Sequence, residues 1–260
     1  EQYYCQDVVD IELKTLDIST TTDEGAEILT SWQSKFNIES GPVYNIGYIY
    51  GYPDGSARLH FALHHLIVDA VSWRILTEDL EDLYAGKELA TKGTSYRQWA
   101  ECIKEYASTH DTEREYWFNV LSDYAAESLQ ALVPRAQVEN HASFSLSEEE
   151  TSLLLRACNK TYHTEINDIL LTALGYALAE ITGNKVNHIV LEGHGREEID
   201  PQIDITRTLG WFTTMYPVRL ELKDELGESI KNVKETLRQI PNKGIGYGAL
   251  NGYLTQDLPR

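Results

Sequence analysis

Cysteine, methionine and proline are scarce in this chain, with 3, 1 and 7 copies among 260 residues. Cys5, Cys102 and Cys158 are odd in number, far apart and without a C-x-x-C pair. That usage points away from a secreted disulfide framework and towards a reducing, cytoplasmic setting. No base adjoins any of the three in sequence, so packing accounts for them. Basic side chains are also few: 22 Lys and Arg against 41 Asp and Glu leave a formal charge of −19. Such a surface repels nucleic-acid phosphates and anionic lipid headgroups, which argues against both as partners. The densest apolar run, Ile169 to Ile181, is broken by Thr172, Gly175 and Glu180, too short to cross a bilayer. There is no repeat of 20–50 residues, no Pro- or Ser-rich linker and no signal-peptide pattern. The chain starts on Glu1 and reads as a part of something longer.

What is present is ordinary globular composition, 42% hydrophobic and 24% charged, long enough for a sizeable core in one large domain or two lobes. Val43 to Tyr52 is aromatic and β-branched, and Tyr52-Pro-Asp-Gly-Ser56 turns the chain into Arg58-Leu-His-Phe-Ala-Leu, a predicted hairpin. A helix is expected next, capped by Asp69, ended by Gly86 and buried along Trp73, Leu76, Leu80 and Leu83. A second helical stretch runs from Ser95 to about Leu121. Periodicity fades between Ser122 and His141, and Pro134 places a lobe boundary there, giving lobes of 1–135 and 136–260. Beyond it we expect a short strand at Phe144-Ser-Leu and a capping box at Ser147 and Glu150. A helix from Glu165 to Thr182 stopped by Gly183, a buried strand at Val186 to Leu191, a strand at Thr208 to Leu222 and a helix from Glu225 to Gln239 should follow. Helices and strands alternate throughout, which defines an α/β fold of two layered lobes.

Two constellations could carry chemistry. In His64-His65-Leu-Ile-Val-Asp69, strand alternation places His65 with Leu59, Phe61 and Leu63 and His64 with His60 and Ala62 on the other face. One imidazole then faces whatever the strand end lines. An imidazole just before a helix start suits acid–base work, while a core histidine bonded to a carbonyl, or a metal ligand, remains open. In Glu192-Gly-His-Gly-Arg-Glu197 the apolar run Ile189 to Leu191 delivers Glu192 to a strand end. Apolar surroundings would raise its pKa and make it a proton acceptor; pairing with an arginine is the structural alternative. Glu197, Glu198, Asp200 and Asp204 lack the order of a calcium loop and read as a solvated loop. Gly244, Gly246 and Gly248 follow Pro241 rather than a strand, so a plain mobile loop is favoured over a phosphate cradle. Neither a serine nucleophile elbow nor a P-loop occurs.

The motifs in combination go further. His64-His-Leu-Ile-Val-Asp-Ala-Val-Ser-Trp73 resembles the H-H-x-x-x-D-G signature of the condensation superfamily of nonribosomal peptide synthetases, in the form that epimerization domains carry. Asn167 to Gly175, Glu192 to Glu197 and Arg207 to Pro217 resemble three further epimerization motifs, in the family's order. The resemblance runs from about Val43 to Gly248. Ala70 stands where the superfamily has glycine, and the family's opening P-I-Q-x-W-F and late N-Y-L-G motifs, the second with an active-site tyrosine, are absent.

The resemblance implies a chloramphenicol-acetyltransferase-like fold of two lobes in a V with a tunnel between them, incomplete at both ends. It implies epimerization of the α-carbon of an aminoacyl or peptidyl thioester, brought by a carrier protein on its phosphopantetheine arm, with neighbouring synthetase domains as further partners and no metal or cofactor of its own. His65 and Glu192 would be catalytic. His64, Ser72, Trp73, Gly193, Trp211, Thr213 and Tyr216 would line the tunnel, and Asp69 and Arg196 would pair as structural residues. The rival activities on the same scaffold are peptide-bond formation by a condensation domain, which usually lacks the glutamate at 192, and a non-catalytic carrier-docking module.

Overall fold

A computed structural model describes residues 11–21, 25–124 and 141–253. Cys5 and the lobe boundary expected at 135/136 lie outside them. The chain gathers into two compact units, Glu1–Tyr96 with Thr206–Trp211, and Arg97–Ile205 with Phe212–Arg260.

In the first unit, β1 (Leu13–Asp17) runs parallel to β2 (Tyr44–Tyr50), with α1 (Gly25–Gln33) between them in sequence. β2 turns into antiparallel β3 (Arg58–Leu63), the predicted hairpin. Trp32 of α1 lies on this sheet with Leu16 and Ile49, so close that a Cβ at Gly47 would fall 2.1 Å from its ring. α1 thus covers the sheet only because residue 47 has no side chain. After β3 comes a short 3₁₀ turn, His65–Ile67, and then α2 (Ala70–Tyr84), capped by Asp69.

The buried side of α2 differs from expectation. Ser72 and Ile75 are buried, whereas Trp73 is 37% and Leu83 54% exposed. The cause is polar: the Ser72 hydroxyl donates to the Gly210 carbonyl at 3.0 Å and accepts the Gly210 N–H at 3.1 Å, turning that side of the helix inwards. The same exchange corrects the strand expected from Thr208. Thr208 donates to the Thr94 carbonyl and Tyr96 to the Trp211 carbonyl, so residues 208–211 are held in the first unit and the strand starts at Thr214.

The second unit begins with α3 (Tyr96–Thr109) and α4 (Glu113–Leu121) in place of one helix, divided where the His110 ring stacks on Tyr106 at 3.9 Å. Phe144 is 90% exposed and its segment forms no strand, pairing with none of the described residues. Ser147 and Glu150 do form the capping box of α5 (Glu148–Ser152), which runs through a π-helical stretch, Leu153–Cys158, into α6 (Asn159–Tyr162). α7 (Ile166–Thr182) ends at left-handed Gly183 as expected. β4 (Val186–Gly193) pairs antiparallel with β5 (Thr214–Glu221), followed by α8 (Leu226–Arg238). β4 is less buried than its apolar sequence suggests, with Val190 60% exposed. Its inner face and that of β5 meet the helices through a core of Trp117, Leu171, Tyr216, Val218, Leu220, Val233, Ile240 and Leu250. The glycine-rich exit is no open loop: after a 3₁₀ turn, Pro241–Gly244, it forms α9 (Ile245–Tyr253).

Candidate active site

β3 ends at Leu63, so strand alternation stops before both histidines. His64 caps the 3₁₀ turn, its Nδ1 accepting the Leu66 N–H at 3.1 Å, and its ring meets Phe36 edge-on. His65 opens the turn and is exposed; its ring lies 5.0 Å from that of Trp211, and among the described residues its nitrogens have no hydrogen-bond partner. The two adjacent imidazoles are thus engaged differently, one in backbone geometry and one available. Asp69 is 4% exposed and accepts the Ser72 N–H at 2.7 Å. Arg207 fixes the start of the 206–211 segment by ion pairs to Glu78 (2.7 Å) and Asp79 on α2. The first unit therefore brings His64, His65, Asp69, Ser72, Trp73 and Trp211 into one neighbourhood.

The second unit gathers Glu192, Gly193, Arg196, Thr213 and Tyr216. Glu192 stands opposite Met215 at the end of β4 with its carboxylate exposed and unpaired among the described residues, not pressed between apolar side chains as the sequence suggested. The backbone beyond it is pinned. Gly195 has φ +67°, and a Cβ there would lie 1.6 Å from the Phe212 carbonyl oxygen. Arg196 spreads its guanidinium 3.9 Å over the Phe212 ring, donates to the Ile205 carbonyl at 3.0 Å, and gives its own N–H to His194 Nδ1 at 3.0 Å. His194 in turn lies 3.1 Å from Glu197. Tyr216 is buried against the end of β4; burial first, and the Glu197 charge second, push its phenol pKa up, so it stays protonated. Thr213 is half-buried. In the loop of Glu197, Glu198, Asp200 and Asp204 the Asp200 carboxylate accepts the Gln202 N–H at 2.8 Å, and no cluster of three metal-ligating side chains occurs among the described residues.

An exposed imidazole and an exposed carboxylate, each on a pinned backbone, can accept or donate protons on a substrate that comes to them. Nothing in the sequence marks a buried group beside the second neighbourhood, Glu113 of α4 with Tyr106 and Asn242. An isolated glutamate at a helix start reads as solvated, and its partner lies far along the chain.

The α/β architecture is that of chloramphenicol-acetyltransferase-like condensation and epimerization domains. A family profile described as Condensation domain matches residues 2–258, and the chain belongs to that family. It is 41% identical over its whole length to the N-(5-amino-5-carboxypentanoyl)-L-cysteinyl-D-valine synthase of Penicillium rubens, and 44% identical over 90% of its length to bacitracin synthase 1 of Bacillus licheniformis. It spans only 7% and 5% of those proteins. The crystallised epimerization domain from the third module of tyrocidine synthetase B is similar over 95% of this chain and 60% of its own, with 34% identity and a TM-score of 0.77. The condensation domain of the Monacolin K polyketide synthase shares the fold, with a TM-score of 0.72 at 18% identity. The chain is thus a condensation-superfamily domain of the nonribosomal peptide synthetase type. No described helix is long and apolar enough to cross a membrane.

Proposed function

We propose that this domain is an epimerase acting on the α-carbon of an aminoacyl or peptidyl thioester carried on the phosphopantetheine arm of a carrier protein, in the cytoplasm and beside other synthetase domains. The observation that carries the reading is Glu192, a free carboxylate at the end of β4 on a backbone pinned by Gly195 and Arg196. Similarity to a crystallised epimerization domain at 34% identity supports it over peptide-bond formation.

The thioester carbonyl acidifies the α-hydrogen. One of the pair Glu192 and His65 takes that proton, leaving an enolate whose negative charge sits largely on the thioester oxygen. Hydrogen-bond donation to that oxygen lowers the barrier. A proton returned to the opposite face of the α-carbon completes the inversion, so the product differs from the substrate only in handedness; the protonated base then gives its proton to water and the spent acid takes one from water, which readies the pair for the next molecule. His64, Ser72, Trp73, Gly193, Trp211, Thr213 and Tyr216 are assigned to the walls along the arm and substrate, and Asp69 and Arg196 to structural support.

The test is chiral analysis of amino acid released from the intact domain after incubation with L-loaded carrier. Wild type should give an L/D mixture. Glu192→Gln and His65→Ala should each slow its formation by about 10²- to 10⁴-fold, the usual worth of a positioned acid or base. Normal L/D ratios in both variants would overturn the assignment, and peptide-bond formation without inversion would make the domain a condensation catalyst.

A further inference from the structure

Glu113, at the first position of α4, is only 8% exposed, and Tyr106 of α3 only 5%. The Tyr106 hydroxyl donates to Glu113 Oε1, and the Asn242 amide donates to both, at 2.5 Å to the Tyr106 oxygen and 3.1 Å to Oε1. Buried carboxylates are ordinarily met by a cation. This one is met by neutral donors and by the start of α9, where a Cβ at Gly246 would fall 1.8 Å from Oε2. Oε2 itself has no hydrogen-bond partner among the described residues. An arrangement that leaves a buried polar atom unmatched is costly, and points to something that the cluster secures.

What it secures is a turn of unusual backbone. Asn242 (φ +41°) and Lys243 (φ +53°) are consecutive left-handed residues, a conformation that persists only where its surroundings impose it. The turn continues into Gly244 (φ +88°), whose backbone lies so close to Tyr216 that a Cβ there would fall 1.9 Å from the ring. The Lys243 carbonyl oxygen lies 3.4 Å from where a Cβ on Gly193 would stand. Gly193 is the residue after Glu192. One helical turn on from Glu113, Trp117 backs the same place, its ring 6.3 Å from that of Tyr216.

We propose that Glu113, through Tyr106 and Asn242, is a positioning residue for Glu192: the cluster clamps the turn Asn242–Gly244 against Gly193 and Tyr216 and so fixes the strand end that presents the reacting carboxylate. The proposal rests on the reading of Glu192 as an acid–base group. It assigns a role in turnover to side chains that touch no substrate, and explains why a buried carboxylate meets no cation among the described residues.

The experiment measures epimerization of L-loaded carrier by the intact synthetase module for Glu113→Gln, Asn242→Gly, the double variant and Glu192→Gln. Glycine at 242 accepts the left-handed backbone but removes the amide. Glu113→Gln and Asn242→Gly should each lower kcat about 10- to 100-fold with KM for the loaded carrier unchanged, the scale of a misplaced reacting group. The double variant should be no slower than the worse single one, because both act through one turn. The acidic limb of the kcat–pH profile should move in both, whereas a loss of folded protein alone would shrink the profile without moving it. Should Glu113→Gln fail to fold, Asn242→Gly decides, its side chain being exposed. Wild-type kcat in Asn242→Gly, a change in KM alone, or a reduced profile of unaltered shape overturns the clamp. Normal turnover in Glu192→Gln overturns the epimerase assignment itself, whereas a dead Glu192→Gln beside a normal Asn242→Gly removes only the clamp.

Discussion

The carboxylate of Asp69 accepts the Ser72 N–H at the start of α2, and the Ser72 hydroxyl ties that helix to Gly210. Loss of an N-cap of this kind costs about 1 kcal/mol. Asp69→Ala should therefore lower unfolding stability in a urea titration by at least that amount, and Asp69→Asn, which still caps, by much less. Equal losses in the two variants would mean that the charge of Asp69 is needed and not its cap. At this scale the sequence was informative wherever chemistry is local: Asp69 as a cap, Ser147 with Glu150 as a capping box, Gly183 as a helix stop. It was silent wherever the partner is distant. Nothing near Glu113 announces Asn242, and nothing near Arg196 announces Phe212, because both pairings exist only once α4, β5 and the 241–244 turn have packed.

The elements follow the same division. The β2–β3 hairpin was legible in its Pro-Asp-Gly turn, and α7 and α8 in their apolar spacing. The inward side of α2 was not, since Ser72 outcompetes Trp73 through backbone bonds that no hydrophobic pattern records. Nor were the 241–244 turn and α9, whose Gly244 and Gly246 read as a loop but serve close approach to Tyr216 and Glu113. The strand end at Glu192 depends on Gly195 in the same way. Gly195→Ala asks for a left-handed alanine with its methyl group inside the Phe212 carbonyl, so the segment must move. Epimerization by this variant should fall at least tenfold while far-ultraviolet circular dichroism stays native; wild-type turnover would show that the pinned backbone is dispensable. Deep in the same unit, Trp117 is fully buried, and Trp117→Ala should cost about 3–5 kcal/mol of stability in the same titration, large enough to be checked against the melting curve.

Across the whole chain, burial pushes the phenols of Tyr106, Tyr116 and Tyr216 upwards, Tyr116 to about 12. The folded state then holds these protons more tightly than the unfolded chain. Their contribution is complete below the ordinary tyrosine value of 10.0 and is lost as pH rises above it, for Tyr116 through about 12. On the acid side, Arg219 holds Asp123 below its ordinary value, and Lys223 with Arg219 does so for Glu221. That contribution is present above the ordinary carboxylate values of 3.8 and 4.5 and is lost as pH falls below them. Melting temperature followed against pH should be flat between these two ranges and fall on both sides; a curve still flat well into the phenol range would contradict the alkaline half. The surplus of 41 acidic over 22 basic residues also gives the molecule a strongly anionic surface.

The most direct measurement is uptake of solvent deuterium at the substrate α-carbon, read by mass spectrometry of amino acid or peptide released from the carrier after incubation with the intact domain in heavy water. The account predicts one deuterium per inverted molecule with the wild type, and neither deuterium uptake nor inversion above background with Glu192→Gln. Exchange at the wild-type rate in Glu192→Gln, or peptide-bond formation by the wild type with its α-hydrogen never exchanged, would contradict it.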